Sequence, residues 1–434
     1  MKSLPIFKVV TLLLLFCTIS ISAQKLTRTE KKILRTIEAN NAEAIQFLKD
    51  VVNINSGTMN HEGVKKVGDV FGEAFKNIGF TTNWYDMSEV NRSGHLFAET
   101  SGNKGKKLLL IGHLDTVFEA DSPFQGFKMV NDSIAHAPGG NDMKGGNVIM
   151  LYALKALADN GLLKDAQIIA AFTGDEEATG KPLAISRKHL IDAGKRSDIA
   201  LGFETSTGFN YATVARRGSS DWKVEVTGKR AHSSGIFSDR TGAGAIFEIS
   251  RILNEFYNKV KGEEYLTFNP GIIIGGTQMN YDQQLSRGDV FGKSNVVAQT
   301  AVVYGGLRFI SEEQKENARA KMREIASNNL PQTSAEITFI DSYPAMQPTE
   351  GNNNLLKTLN QVSLDLKQGE VEAYDPGRRG AADVSFVAEY VNCLDGLGTM
   401  GNGAHTPEET VNLNTIEALT KRTAILIYRL INEK

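Results

Sequence analysis

The sequence predicts an α/β protein, in which a mostly parallel sheet flanked by helices is interrupted by an inserted α+β segment. Three short apolar runs, at 108–112, 166–174 and 198–203, are typical of strands buried on both faces of a parallel sheet. Helical apolar spacing at 145–161 separates the first two runs, so strand and helix alternate along the chain. After residue 213 polar and apolar residues alternate, which is typical of half-exposed antiparallel strands.

Length and composition are those of a globular protein with two domains. The chain has 434 residues, of which 41% are hydrophobic and 23% charged, and its net charge is −2. This length allows two domains with sizeable hydrophobic cores. A net charge so close to zero gives no basis for a nucleic-acid partner or for binding to an anionic membrane surface.

The N-terminus has the pattern of a secretory leader. Two lysines in the first eight residues precede an apolar stretch at 9–21, and small residues lead up to Ala23. This pattern predicts a signal peptide at 1–23 and a secreted or periplasmic protein. The alternative, a stable membrane anchor, is disfavoured because the stretch is too short to span a bilayer comfortably. Cleavage would remove Cys17 and leave Cys393, so we expect no internal disulfide.

The remaining elements follow from periodicity. Residues 28–50 and 62–78 carry apolar residues at helical spacing. In the inserted segment we predict strands at 222–228, 272–276, 295–309 and 335–341 and helices at 242–260 and 311–328. Their order, β-α-β-β-α-β, indicates a ferredoxin-like antiparallel sheet with helices on one side. We therefore predict one domain from 28–212 and 345–434, with the inserted domain at 213–344.

The first strand run leads into a histidine and an aspartate. In LLLIGHLDTV (108–117), His113 and Asp115 are two residues apart, so their side chains point to the same face of an extended chain. The carboxyl end of a parallel strand opens onto the crevice where α/β proteins bind ligands. One side chain could ligate a metal while the other orients it. Taken alone, the pair fits a structural histidine near a turn equally well.

Two further segments bring carboxylates to the ends of predicted elements. Asp142 lies in the glycine-rich GGNDMKGGN (139–147), just before a helix, where it could also be an ordinary N-cap. Glu176 and Glu177 lie in TGDEEATG, after the second strand run. In an extended chain these neighbours point different ways, so one can face a metal and the other a substrate. The alternative is a solvated acidic turn.

The last two segments complete a set of convergent polar residues. Glu204 follows the third strand run in LGFETST, and His405 lies in the glycine-rich GNGAHTPEE. Because the carboxyl ends of parallel strands share one edge of a sheet, these groups are expected to converge. Two histidines and three carboxylates without cysteine suit two dications, most simply zinc. Paired metals can share a bridging carboxylate and activate a water molecule.

The ordered series GHLDTV, GGNDMKGG, GDEEATG, GFE and GAHTPEE resembles the M20 family of zinc exopeptidases and amidohydrolases, in particular its glutamate carboxypeptidase-like branch. The resemblance covers nearly all of the chain after the leader. It implies that His113 and Glu204 complete one metal site and that Glu177 and His405 complete the other. Asp142 would bridge the two metals.

The resemblance also implies roles around these ligands. Asp115 would orient His113, and Glu176 would be the general base. The peptide bond from Asp142 to Met143 would be cis. Taken together, these expectations describe a centre in which a base stands beside a two-metal site.

In the inserted domain the resemblance implies residues that contact substrate. His232 in GKRAHSSG would polarise the scissile carbonyl, often from the partner subunit of a homodimer joined through this domain. Asn295 would contact substrate, and Arg308 would hold a substrate carboxylate. The chain departs from the family at Gly306, where an acidic residue is common, and at RRGAADVSF (378–386), where the family has a glycine-rich Ser/Thr-Asp loop.

The function implied is that of a secreted metallo-carboxypeptidase with two zinc ions per chain, cobalt or manganese being alternative metals. Its substrate would be a small peptide with a free terminal carboxylate, such as one ending in a glutamate-like residue. An N-acyl-amino-acid amidohydrolase would need the same centre and would act on an acyl-amino acid. A catalytically silent binding protein is a third interpretation, disfavoured by the presence of Glu176 with all five candidate ligands.

Overall fold

The computed structural model describes residues 26–282 and 286–433. The predicted leader at 1–23, including Cys17, lies outside these residues. Cys393 is buried and carries a free thiol. Among the helices of the described ranges, none combines the length and apolar character needed to cross a membrane.

The predicted helices all form, with ends shifted by a few residues. The helices of the described residues are α1 Arg28–Val52, α2 His61–Asn77, α3 Gly145–Asp159, α4 Leu183–Ser186, α5 Lys188–Lys195, α6 Ala245–Lys259, α7 Glu312–Ser327, α8 Glu350–Asp365 and α9 Ile416–Ile431. Local chemistry sets the first boundary, because Thr27 accepts a hydrogen bond from the Glu30 amide while the Glu30 carboxylate accepts one from the Thr27 amide.

The strands are more numerous than the apolar runs predicted. They are β1 Thr81–Asp86, β2 Gly94–Glu99, β3 Lys104–His113, β4 Lys128–Met129, β5 Ile134–His136, β6 Ala166–Thr173, β7 Ile199–Gly202, β8 Tyr211–Ala212, β9 Gly218–Gly228, β10 Thr267–Gly276, β11 Gln278–Asp282, β12 Arg287–Phe291, β13 Thr300–Phe309, β14 Thr333–Asp341, β15 Glu372–Ala373, β16 Asn392–Leu394, β17 Gly401–Asn402 and β18 Thr410–Asn412. β13 begins later than predicted because the chain before it pairs with the loop around His232.

The main sheet has the order β1-β2-β6-β3-β7-β16. β6, β3, β7 and β16 run parallel, whereas β1 and β2 add an antiparallel edge. Alternate residues of β3 enter two cores: Leu108 and Leu110 pack with α1, α3 and α9, and Leu109 and Ile111 pack with α5. This burial on both faces confirms the interpretation of the apolar runs as central strands.

The inserted segment forms a second sheet of order β10-β13-β9-β14, antiparallel throughout. α6 and α7 pack against this sheet around Trp222, Phe256 and Met322. The strand order and helix placement confirm the predicted ferredoxin-like unit. A hairpin of β11 and β12, absent from the prediction, is inserted between β10 and β13.

Two adjacent chain segments connect the inserted unit to the main sheet. The backbone groups of Arg216 and Met346 exchange hydrogen bonds of 2.8 and 3.0 Å, and the Ser219 amide donates to the Tyr343 carbonyl at 2.8 Å. The outgoing and returning segments therefore lie side by side. Both pass close to the edge of the main sheet where the candidate site lies.

Candidate metal centre

The carboxyl ends of three neighbouring parallel strands supply most of the polar side chains of the site. His113 is the last residue of β3, Glu176 and Glu177 follow β6, and Glu204 follows β7. In the sheet β3 lies between β6 and β7, so these ends are adjacent. The chain direction shared by the three strands thus places the imidazole and the carboxylates at one edge.

Loops from two other regions bring the remaining members. Asp142 lies in the turn before α3, and its peptide bond to Met143 is cis, as the resemblance implied. His405 lies between β17 and β18 with φ +65°, and its side chain is 55% exposed. The site is therefore open to solvent on the side of His405 and closed on the side of His113, which is 1% exposed.

The five candidate ligands form two groups that share Asp142. In the first group, His113 Nε2 lies 3.2 Å from Asp142 Oδ1 and 3.7 Å from Glu204 Oε1. In the second, His405 Nε2 lies 3.1 Å from Asp142 Oδ2 and 3.1 Å from Glu177 Oε2. One carboxylate oxygen of Asp142 thus faces each imidazole, which is the geometry of a bridging ligand.

The charges of this cluster favour cations. Hydrogen bonds that the His405 imidazole donates to the Asp142 and Glu177 carboxylates raise its pKa to about 11. Burial, followed by repulsion from Asp142, raises the pKa of Glu204 to about 7. Glu177 Oε1 is buried and has no hydrogen-bond partner among the described residues. An unpartnered buried acceptor beside several carboxylates fits a bound dication, which would stabilise the negative charge.

Asp115 contacts both halves of the site. His113 Nδ1 lies 3.0 Å from the Asp115 carbonyl oxygen and 3.5 Å from its carboxylate, so the backbone is the nearer acceptor. The carboxylate accepts hydrogen bonds from the amides of Glu176 and Glu177 at 3.0 and 3.1 Å and from the Thr58 hydroxyl at 2.7 Å. Asp115 therefore leaves His113 Nε2 directed at the ligand groups and also holds the glutamate pair.

The loop that carries Asp142 is held by a buried glutamate that sequence reasoning missed. The Glu409 carboxylate accepts hydrogen bonds from the amides of Gly139, Asn141 and Asp142 at 3.0, 2.9 and 3.0 Å. Glu409 ends the motif that contains His405, so one segment contributes a candidate ligand and braces the loop of another. The sequence contains no indication of this role for Glu409 beyond its position in the motif GNGAHTPEE.

A buried network of ion pairs and hydrogen bonds, which sequence reasoning missed, supports the turn that carries Glu176. The Arg187 guanidinium is fully buried and pairs with the carboxylates of Asp175 and Asp383. Asp175 in turn accepts hydrogen bonds from the Gly180 amide at 2.8 Å and the Ser186 hydroxyl at 2.7 Å. This network fixes the turn that presents the glutamate pair.

The Glu176 carboxyl lies in surroundings that favour its protonated form. Burial raises its pKa well above the usual range, and the carboxylates of Glu204 and Asp383 add to the rise. Its backbone carbonyl accepts a hydrogen bond from the Tyr343 hydroxyl at 2.7 Å. A raised pKa makes this carboxylate a stronger base, which suits a group that accepts a proton and later returns it.

The three predicted residues of the inserted domain do not join the cluster. His232 is exposed, with its Nδ1 2.8 Å from the Ser234 hydroxyl, and the Asn295 carbonyl accepts a hydrogen bond from the Ser233 amide at 2.9 Å. Arg308 lies on β13 with an exposed side chain. Neither ligand group of the described residues includes any of them.

Comparison with known proteins places this geometry in a family. The chain matches the model of "Peptidase family M20/M25/M40" over residues 109–429. It is 27% identical over 391 residues to carboxypeptidase G2 of Pseudomonas sp. (strain RS-16), covering 88% of each chain. It is 22% identical to succinyl-diaminopimelate desuccinylase of Rickettsia bellii (strain OSU 85-389), covering 86% of this chain and 93% of that protein.

Solved structures share the fold. Aminopeptidase PepT of Bacillus cereus ATCC 10987 is similar with a TM-score of 0.72 at 18% identity, over 90% of this chain and 99% of that one. The Bacillus subtilis YXEP protein, described as a dinuclear metal-binding peptidase from the M20 family, is similar with a TM-score of 0.63 at 14% identity, over 92% and 100% of the two chains. The protein therefore belongs to peptidase family M20/M25/M40 and is a metal-dependent hydrolase.

Proposed function

We propose that the protein is a secreted exopeptidase with two zinc ions, which hydrolyses the amide bond next to a free carboxylate, as a glutamate carboxypeptidase does. The observation that carries this proposal is the placement of Asp142 between two ligand groups, with Glu176 beside them. The relative with 27% identity, carboxypeptidase G2, supports a carboxypeptidase activity. The leader predicted at 1–23 supports export.

The donor set fits zinc. Two imidazoles and three carboxylates supply nitrogen and oxygen ligands, and the sulfur of Cys393 takes no part. Such borderline-hard donors suit Zn²⁺, with Co²⁺ or Mn²⁺ as alternatives. His113, Asp142 and Glu204 would hold one ion, and Asp142, Glu177 and His405 the other.

Different residues of the chain take separate roles in the reaction. Bound dications would polarise the substrate carbonyl and lower the pKa of a water molecule. Glu176 accepts a proton from the attacking water and returns one to the leaving amine. Asp115 keeps the backbone of Glu176 in place through its amide, and Tyr343 holds the carbonyl. Because the base is already held in position, less conformational entropy is lost when the transition state forms.

The inserted domain supplies the substrate contacts. Arg308 pairs with the terminal carboxylate of the substrate, as arginine does in bidentate ion pairs. Asn295 contacts the substrate, and His232 stabilises the oxyanion that forms from the scissile carbonyl. Closure of the domain over the substrate would exclude bulk water and retain the attacking water molecule.

His232 acts from the partner subunit of a homodimer in this proposal. Its side chain is exposed and lies outside both ligand groups of its own chain. The surface near it is apolar: Phe237 and Phe247 are 68% and 53% exposed, and their rings form an edge-on pair with centroids 5.4 Å apart. Exposed apolar patches mark protein interfaces, and β10 adds one of the two edges of the second sheet.

An N-acyl-amino-acid amidohydrolase is the second candidate. The desuccinylase with 22% identity favours it. Such an enzyme would use the same Glu176 and the same ligands and would differ in the pocket for the acyl group. The two candidates are therefore separated by substrate and not by the metal centre.

The deciding experiment measures metal content by mass spectrometry together with turnover of two substrates, a blocked dipeptide ending in glutamate and N-acetylglutamate. We expect about two dications per chain, loss of activity in strong chelator and faster turnover of the dipeptide. Faster turnover of N-acetylglutamate would favour the amidohydrolase. Purified protein without stoichiometric metal and with full activity in chelator would overturn the proposal. N-terminal sequencing of exported protein, expected to start at Gln24, tests secretion.

A further inference from the structure

One loop beside the metal centre is held by arginines from the start of the inserted domain. Arg216 donates from Nη1 to the Gly380 carbonyl at 2.8 Å, and Arg217 donates from Nη2 to the Gly377 carbonyl at 3.1 Å. The loop at 376–380 is thus attached to the segment that leads into β9. Its residues 378–380 begin the stretch in which the sequence departs from the glycine-rich pattern of the family.

This loop places a third arginine beside the first ligand group. Arg379 donates from Nη2 to the Thr205 carbonyl at 3.2 Å, and Thr205 directly follows Glu204. Burial lowers the pKa of Arg379 to about 10, and the neighbouring charge of Arg216 contributes. The guanidinium therefore remains charged at neutral pH, in a position next to the candidate metal ligands.

No carboxylate forms an ion pair with Arg379 among the described residues. Its Nε is buried and has no hydrogen-bond partner in the described ranges, where the side chain also forms no ion pair. Of the carboxylates that influence it, Asp395 is paired with Arg216, and Glu204 and Asp142 belong to the ligand groups. A partly buried cation without a counter-ion is costly, so the binding of an anion from outside the chain is favoured here.

The inserted domain presents a separate cation. Arg308 is exposed on β13 and forms no ion pair within 26–282 and 286–433. Arg217, which lies close enough to influence Arg308 electrostatically, is held by the Gly377 carbonyl and by Thr267. Two guanidinium groups therefore form no ion pair among the described residues: that of Arg308 in the inserted domain and that of Arg379 beside the metal ligands. One terminal carboxylate can satisfy only one of them.

We infer that Arg379 binds a second carboxylate of the substrate, the side-chain carboxylate of a terminal glutamate or aspartate, while Arg308 binds the terminal one. This inference rests on the proposed function, since it specifies the residue that the enzyme releases. The planar guanidinium matches a carboxylate in two parallel hydrogen bonds. A neutral amide of the same shape would leave the charge of Arg379 uncompensated.

The test compares matched substrates that differ only in this carboxylate. Blocked dipeptides ending in glutamate and in glutamine are assayed with wild type, Arg379→Met and Arg379→Lys. We expect wild type to prefer glutamate and Arg379→Met to lose roughly 10- to 100-fold in kcat/KM on glutamate, with little change on glutamine. Arg379→Lys keeps the charge and should recover part of the loss. The control is Arg378→Met, which replaces the exposed neighbouring arginine and should leave kcat/KM on both substrates unchanged.

Equal losses on glutamate and glutamine would overturn the inference, as would a wild type without preference. Metal content is measured for each variant. If both variants lose metal, the inhibition of wild type by free glutamate is compared with that by free glutamine. We expect glutamate to inhibit more strongly, and equal inhibition would contradict the assignment of Arg379. N-acetylglutamate and N-acetylglutamine are run in parallel. Turnover of the acetylated pair alone would refute the carboxypeptidase proposal, whereas the preference within that pair would still test Arg379.

Discussion

The hydroxyl group of Tyr343 donates a 2.7 Å hydrogen bond to the backbone carbonyl of Glu176. Tyr343 lies on the segment that returns from the inserted domain, where its own carbonyl accepts a hydrogen bond from Ser219. The same hydroxyl lies 2.9 Å from the Thr179 hydroxyl. One side chain thus links the connection between the domains to the turn that carries the proposed general base.

Removal of this hydroxyl should slow turnover with little effect on substrate binding. In Tyr343→Phe the carbonyl of Glu176 loses its partner, although Asp115 still holds the amide. The loss of one hydrogen bond corresponds to roughly a 3- to 10-fold decrease in kcat. Steady-state kinetics measures it, with Tyr390→Phe, an exposed tyrosine, as control. A change in KM alone would mean that Tyr343 does not position the base.

Glu176→Ala should abolish hydrolysis while both metals stay bound. Glu176 belongs to neither ligand group, so its loss removes the base and not a ligand. General-base catalysis contributes roughly 10²- to 10⁴-fold, and we expect a loss of at least this size. The measurement pairs kcat with metal content by mass spectrometry. Near-normal activity would show that another group accepts the proton.

Asp142→Asn should reduce the content of both metals, whereas His405→Ala should affect mainly one. Asp142 gives one oxygen to each group, and His405 belongs only to the second. An amide keeps the shape of the side chain but removes the charge that attracts dications. Metal analysis after dialysis distinguishes the variants. Equal metal content in the two would contradict a bridging Asp142.

His232→Ala should lower turnover without emptying the metal sites, because His232 lies outside both ligand groups. Loss of metal in this variant would mean that its role has been misplaced. If His232 acts on the partner's site, mixing this variant with Glu176→Ala should restore activity, since one site of each mixed dimer is intact. Random exchange makes about half of the dimers mixed, and each mixed dimer has one intact site, so roughly a quarter of wild-type activity is expected. No recovery after subunit exchange would argue against action across the dimer.

Local pattern was sufficient for the central strands and for the polar residues at their ends, whereas the assignment of the five candidate ligands came from the resemblance to the M20 family. A buried parallel strand must be apolar along its length, and its polar ligands can appear only where it ends. Each such run therefore points to the residue that follows it, as β3 does to His113 and β7 to Glu204. β1 and β2 were not predicted. The edge strand β1 is largely exposed and polar, and β2, although buried, carries only three consecutive apolar residues, Leu96 to Ala98.

The sequence by itself determined which imidazoles and carboxylates stand at the ends of buried elements, because burial imposes a pattern that is read along the chain. Only the tertiary structure decided how they are held: the division of Asp142 between two groups, the pairing of Arg187 with Asp383, and the contact of Tyr343 with Glu176. The physical reason is distance along the chain. Tyr343 and Glu176 are 167 residues apart, and a hydrogen bond across that separation depends on packing that no local pattern records.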